Sequence, residues 1–248
     1  MFVKTVLEWS YTPPDTFEAL YVFPSQDFEL RIDGGLASVT FKQPRQQVDA
    51  TERLEVESIV RLAFRGLQAM THQCIEITGE KVCQYDAEGQ LYEFIFDSGT
   101  VCGGSAISID TIEYTDGNIT HDSRAERIQK NHEFVSRVLN HALNDGLLCF
   151  LLNSYAAAIN DPGNEFLYLC EIREALIVRF GNQTAAQKSL GISKKLWSDF
   201  GGITNNEPVD QSRHRGLFIY INRRPATIEE LREARRTAQE MIENTLLP

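Results

Sequence analysis

The stretch TERLEVESIVRLAFRGLQAMTH, Thr51 to His72, decides what the first half of this chain builds. Its apolar residues fit two periods. Val56, Ile59, Val60, Ala63, Leu67 and Met70 line one face of a helix, whereas Leu54, Val56, Val60, Leu62 and Phe64 fit an alternating strand. Strands usually end by about ten residues, so the length of residues 51–72 favours helix. Hairpin signals flank it. FELRI and LASVTF are joined by Asp33-Gly34-Gly35, which supplies positive-φ positions. KVCQY and QLYEFIF turn around Gly89, and AISIDTIEY turns at Asp116-Gly117. Residues 1–120 therefore read as an α+β domain with an antiparallel sheet and one helix.

The second half changes period to 3.6. Apolar residues fall at Phe134, Val138, Leu139, Ala142, Leu143, Leu147, Leu151, Leu152, Tyr155 and Ile159, as one long helix or two abutting ones eased at Gly146. Asn160-Asp161-Pro162-Gly163-Asn164 ends that run. EFLYLCEIREALIVRF stops at Gly181. TAAQKSL and KKLWSDF form a helical pair joined by Gly191-Ile192-Ser193, with Ser193 as N-cap. NNEPVDQSRHRG, Asn205 to Gly216, has no helical pattern. The last helix starts at Thr227 with a capping box to Glu230, and its face predicts burial of Ile228, Leu231, Ala234, Ala238, Met241, Ile242 and Leu246. Residues 121–248 are thus an all-α domain, with the boundary near 116–126.

Composition narrows the function. The 248 residues are 42% hydrophobic and 24% charged, enough to build a core without staples. Five cysteines, Cys74, Cys83, Cys102, Cys149 and Cys170, form no C-x-x-C pair, which argues for free thiols. No metal or cofactor is implied. MFVKTVLEWSYTPPD has no signal-peptide core, and the longest apolar run, Leu147 to Ile159, is too short to span a bilayer. The expectation is a cytoplasmic protein with no membrane partner. Charge is uneven. Residues 1–120 carry 8 Lys and Arg against 19 Asp and Glu, a net of −11, while residues 121–248 carry 16 of each. The first half should repel nucleic acid and suits a protein partner.

Any phosphate contact then belongs to the second half. Arg213, His214 and Arg215 lie side by side, with Asn205 and Asn206 upstream and Arg223 and Arg224 downstream. Arginine offers phosphate a planar fork of donors, and histidine exchanges protons near neutral pH. His214 is the candidate general acid or base for RNA cleavage without metal, Arg213 or Arg215 would neutralise the transition-state charge, and the asparagines would orient the phosphate. The competing assignment has these arginines capping helix ends or pairing with Glu207 and Asp210. AAQKSLGISKKLW also has the outline of a helix-turn-helix. Gln187 stands where DNA-binding versions place a small residue, so a plain helical hairpin fits better. Gly99 to Ser105 lacks the lysine of a phosphate loop, and Cys102 has no histidine near it in sequence.

LYLCEIREAL, the short helical pair, the Asn-bearing loop with Arg-His and the final capped helix together resemble the HEPN superfamily over roughly residues 130–247. The resemblance implies an all-α, often dimeric domain of the kind found in toxin–antitoxin and phage-defence systems, many of them metal-independent ribonucleases. It makes RNA a possible partner and a homodimer a possible assembly. The family's signature is arginine, four to six residues, then histidine. Residues 207, 208 and 209 hold no arginine to serve His214; the spacing occurs instead as Arg127 to His132 and Arg65 to His72. A domain of this layout without that motif would be an interaction module, so a non-catalytic scaffold or regulator is the alternative expectation, and a helix-turn-helix DNA binder the second.

Overall fold

In the computed structural model, the deciding stretch is a helix. The structure describes residues 1–96, 110–115, 118–142, 145–206, 208–214, 217, 220 and 222–246. The helix α1 (Ala50–Thr71) begins where the Asp49 carboxylate accepts from the Glu52 amide at 2.9 Å. It ends at His72, whose φ of 52° turns the chain out of the helix while its amide still reaches the Gln68 carbonyl. Helical period wins because Val56, Val60, Ala63 and Leu67 are all buried along one stripe, whereas Leu54, which the strand pattern requires inside, is exposed.

Among the described residues, eight strands accompany it. They are β1 (Phe2–Thr12), β2 (Tyr21–Pro24), β3 (Phe28–Asp33), β4 (Leu36–Phe41), β5 (Glu76–Asp86), β6 (Leu91–Phe96), β7 (Ile112–Thr115) and β8 (Asn118–Asp122). The first six form one antiparallel sheet in the order β2-β3-β4-β1-β5-β6, and the last two form a separate ribbon. The three expected hairpins are present: Gly34 and Gly35 hold φ of 54° and 89°, and Gly89 holds 82°. The turn at Asp116-Gly117 lies outside the described residues, as do Cys102 and the Gly99 to Ser105 stretch. Missing from the expectation were β1 and β2. β1 lies between β4 and β5 and buries Leu7, Trp9 and Tyr11 beside the rings of Phe17 and Phe64. Each such side chain contributes about 2–3 kcal/mol.

The helical run divides in two, α2 (Ser123–Ala142) and α3 (Gly146–Asn160), with the Asp145 carboxylate capping the amides of Leu147 and Leu148. A 3-10 turn over Pro162–Asn164 leads into α4 (Glu165–Phe180), which Gly181 closes at φ 83°. Next come α5 (Gln183–Leu190) and α6 (Lys194–Gly201), the latter capped by Ser193. A π-helical turn, Gly202–Asn206, continues α6 and holds Asn205 and Asn206, so the loop begins with helical backbone that its sequence does not advertise. The last helix is α7 (Ile228–Thr245), and both halves of its capping box are made. Two burial expectations fail: Ile228 is 76% exposed and Leu231 is only half-buried, because the first turn of α7 precedes the part of the helix that meets the core. Ala234, Ala238, Met241, Ile242 and Leu246 are buried as its period requires.

The chain is therefore α+β, a six-stranded antiparallel sheet followed by a helical region. It packs into two compact units, residues 1–64 with 73–136 and residues 65–72 with 137–248. Among the described residues no helix is long and apolar enough to cross a membrane, and no cluster of His, Cys, Asp or Glu is arranged to hold a metal.

Candidate functional site

The basic loop of the second unit is a built structure. A parallel bridge joins Val209 to Arg224, with the Asp210 amide donating to the Arg224 carbonyl at 2.9 Å and the Arg224 amide to Pro208 at 3.1 Å. Val209 and Ser212 are buried beneath the loop, as is Thr204 in the π-helical turn. The Arg213 amide donates to the Thr204 carbonyl at 3.1 Å, which sets the Arg213-His214 turn beside the residue preceding Asn205. A further turn closes from the Leu217 amide to the His214 carbonyl. Thus Arg213 and His214 share a turn close in space to Asn205, as the cluster in the sequence suggested.

The arginines, however, face carboxylates. Arg213 pairs with Glu174 of α4. Arg224 grips Glu230 with both terminal nitrogens, and that contact, with the amide and hydroxyl of Thr227, holds the Glu230 carboxyl down at about 2. Arg223 lies 3.5 Å from Asp210. Arg215 and Glu207 lie outside the described residues. Half of the competing assignment is thereby realised: Arg223 meets Asp210, and Arg224 meets the carboxylate that caps α7.

The Arg127 to His132 spacing separates in the same way. Arg127 binds Glu18 through two nitrogens at 2.7 Å each and Asp110 at 2.6 Å, which keeps both carboxyls below their usual range. His132 instead packs its ring against Phe17 and Tyr21. His72 meets the Tyr155 ring edge-on at 5.7 Å and lies 3.8 Å from Glu165, a fully buried carboxylate that Arg235 clasps at 2.6 and 2.8 Å. Burial, with the Arg235 charge second, pushes the His72 imidazole down to about 4. No sequence spacing connects Glu165, Tyr155 and Arg235 to His72.

The helical pair also forms, with Trp197 and Phe200 buried and Lys195 tied to Asp199. That leaves the second helix of the pair using its large residues for packing.

The feature that sequence patterning did not reveal is the exposure of β6, a strand it did expect. β6 is an edge strand, and all six residues, LYEFIF, are exposed on both faces: Phe94 at 50% and Ile95 at 65% are the extremes among its large apolar side chains. The opposite edge, β2, is four residues long and ends in Pro24, the usual means of blunting an edge. β6 has no proline, a single charge at Glu93, and among the described residues no strand on its outer side. The hairpin signal around Gly89 marks the strand but not its place in the sheet, and pairing puts it at the rim.

Neither a protein family, nor a curated protein, nor a solved structure matches this chain.

Proposed function

We propose that this chain is a non-catalytic interaction protein that captures an extended, lysine- or arginine-bearing segment of another protein along the outer edge of β6. The observation that carries this is the exposed six-residue edge, which among the described residues has no strand on its outer side. Main-chain pairing would supply affinity, and Phe94 and Ile95, on opposite faces, would each receive a partner side chain. The net charge of −11 on residues 1–120 favours a basic segment over an acidic one.

The test is a paired pull-down with the full chain and its Ile95→Lys variant, followed by hydrogen exchange on the recovered complex. The expected result is a stoichiometric basic partner that the variant loses, together with slowed exchange at the amides of β6. Equal recovery by both proteins, or unchanged exchange at β6, overturns the proposal. So does self-association of the free protein that Ile95→Lys abolishes, since the edge would then serve a second copy of this chain.

One observation favours a second function, the RNA contact of a HEPN-like, defence-associated protein. The Arg213 amide donates to the Thr204 carbonyl, which brings the Arg213-His214 turn next to the residue preceding Asn205. Phosphate would have to displace Glu174 from Arg213. Incubation with tRNA in EDTA, beside His214→Ala, checks this: cleavage that the variant loses supports it, and no cleavage or equal cleavage removes it.

A further inference from the structure

The first unit contains a cleft of about 180 Å³ between α1 and the strands β1, β5 and β6. Its floor is a break in sheet pairing. The register steps from Glu8 opposite Lys81 to Ser10 opposite Thr78, so Trp9 alone faces both Gly79 and Glu80. Gly79 holds φ of 64°, which a side chain would strain, and the result is a glycine bulge. Bulges re-aim side chains, and this one leaves two polar atoms without partners. Trp9 is 2% exposed, yet its indole Nε1–H has no hydrogen-bond acceptor. Glu80 Oε1 is buried and has no donor. Both residues line the cleft. An unmet donor and an unmet acceptor on two residues that line one small cleft are a costly arrangement for a fold to keep, unless something there satisfies them.

The charges around the cleft are already matched. Arg53 donates to Glu80 Oε2 at 3.2 Å, and Arg61 to Glu57 at 2.7 Å. An added anion would face Glu57 and Glu80, and an added cation would face Arg53 and Arg61. The occupant that fits is neutral. One wall is flat, because the Arg53 guanidinium lies 3.6 Å over the centre of the Phe96 ring. A planar group with a hydrogen-bond acceptor and a donor close together suits all of these constraints.

We propose that this cleft binds a small neutral molecule bearing a carboxamide, whose carbonyl accepts from Trp9 Nε1–H and whose N–H donates to Glu80 Oε1. The site shares Phe96 with β6 but lies on the α1 side of the bulge and requires no partner strand.

Nitrogen–proton spectra of the full chain test it directly. The chain has two tryptophans, so two indole peaks appear, and Trp9→Phe assigns them. Propionamide should shift the Trp9 peak saturably, while propionate and alanine, of similar size but charged or zwitterionic, bind roughly tenfold more weakly. Glu80→Met, which keeps the volume and removes the acceptor, should weaken propionamide by a similar factor. The comparison of the three probes uses the unmutated chain and stands even where the variant does not fold. An indole peak that propionamide leaves in place, or that propionate moves equally, overturns the proposal and assigns the cleft to water. Loss of the β6 partner in the docking experiment would leave these spectra unchanged.

Discussion

His72 closes α1 in a backbone region that residues other than glycine seldom adopt, and its ring sits in the protein interior at the same time. Its neighbours there are Tyr155, Glu165 and Arg235, and its Nδ1 is buried without a partner. The folded imidazole titrates at about 4 and an unfolded one near 6.5. Between those values the unfolded chain binds a proton that the folded chain refuses. Stability is therefore complete above the unfolded value and declines as pH falls toward the folded one. Linkage puts the loss from this residue at about 2 kcal/mol near pH 5. His132, also lowered by burial, acts in the same direction. Urea denaturation near pH 7.5 and near pH 5 should show a smaller pH-dependent loss for His72→Gln than for the parent. An identical loss in both proteins would show that His72 does not set this window.

Elements announced by short-range chemistry were legible in the sequence, and those fixed by distant pairing were not. The β3–β4 turn could be read because Gly34 and Gly35 supply backbone that other residues avoid. The starts of α6 and α7 could be read because Ser193, Thr227 and Glu230 cap amides only three residues away. β1 escaped for a different reason. Thr5, Val6 and Leu7 are buried in succession between β4 and β5, so the alternation that marks a half-buried strand is erased at its middle. β2, four residues ending in proline, is too short to show a period. At the basic loop, Arg213, His214 and Asn205 are close along the chain, and the Arg213 amide reaches the Thr204 carbonyl. The sequence was silent on Glu174, which reaches Arg213 from another helix, and on Trp9 and Glu80, which meet only through a bulge in the sheet. The exposure of β6 depends on which strands pair across the sheet, and the run LYEFIF does not carry that information.

At the scale of the whole molecule, charge decides among partners. All of the net −11 lies in residues 1–120, the segment that contributes the exposed edge, and residues 121–248 are neutral. A polyanion approaching the chain meets repulsion from the first part, while in the second Arg213, Arg223 and Arg224 each already lie against a carboxylate. A basic protein segment meets attraction before it touches anything. That attraction acts at long range, so it belongs to the encounter and to the association rate more than to the final contacts, which are main-chain pairing and apolar burial. Salt shortens its reach, from roughly 14 Å near 0.05 M to about 4 Å near 0.5 M. Stopped-flow measurements on the recovered complex should show association slowing roughly tenfold over that range, with dissociation nearly constant. Neutralising acidic side chains on the sheet, for instance Glu93→Gln on β6 with Glu8→Gln on β1, should flatten the salt response without abolishing binding. Ile95→Lys should do the reverse, raising the dissociation rate while leaving most of the salt dependence in place. An association rate indifferent to salt would mean that the partner is not selected by charge, and the case for a basic segment would fall while the apolar edge itself remained.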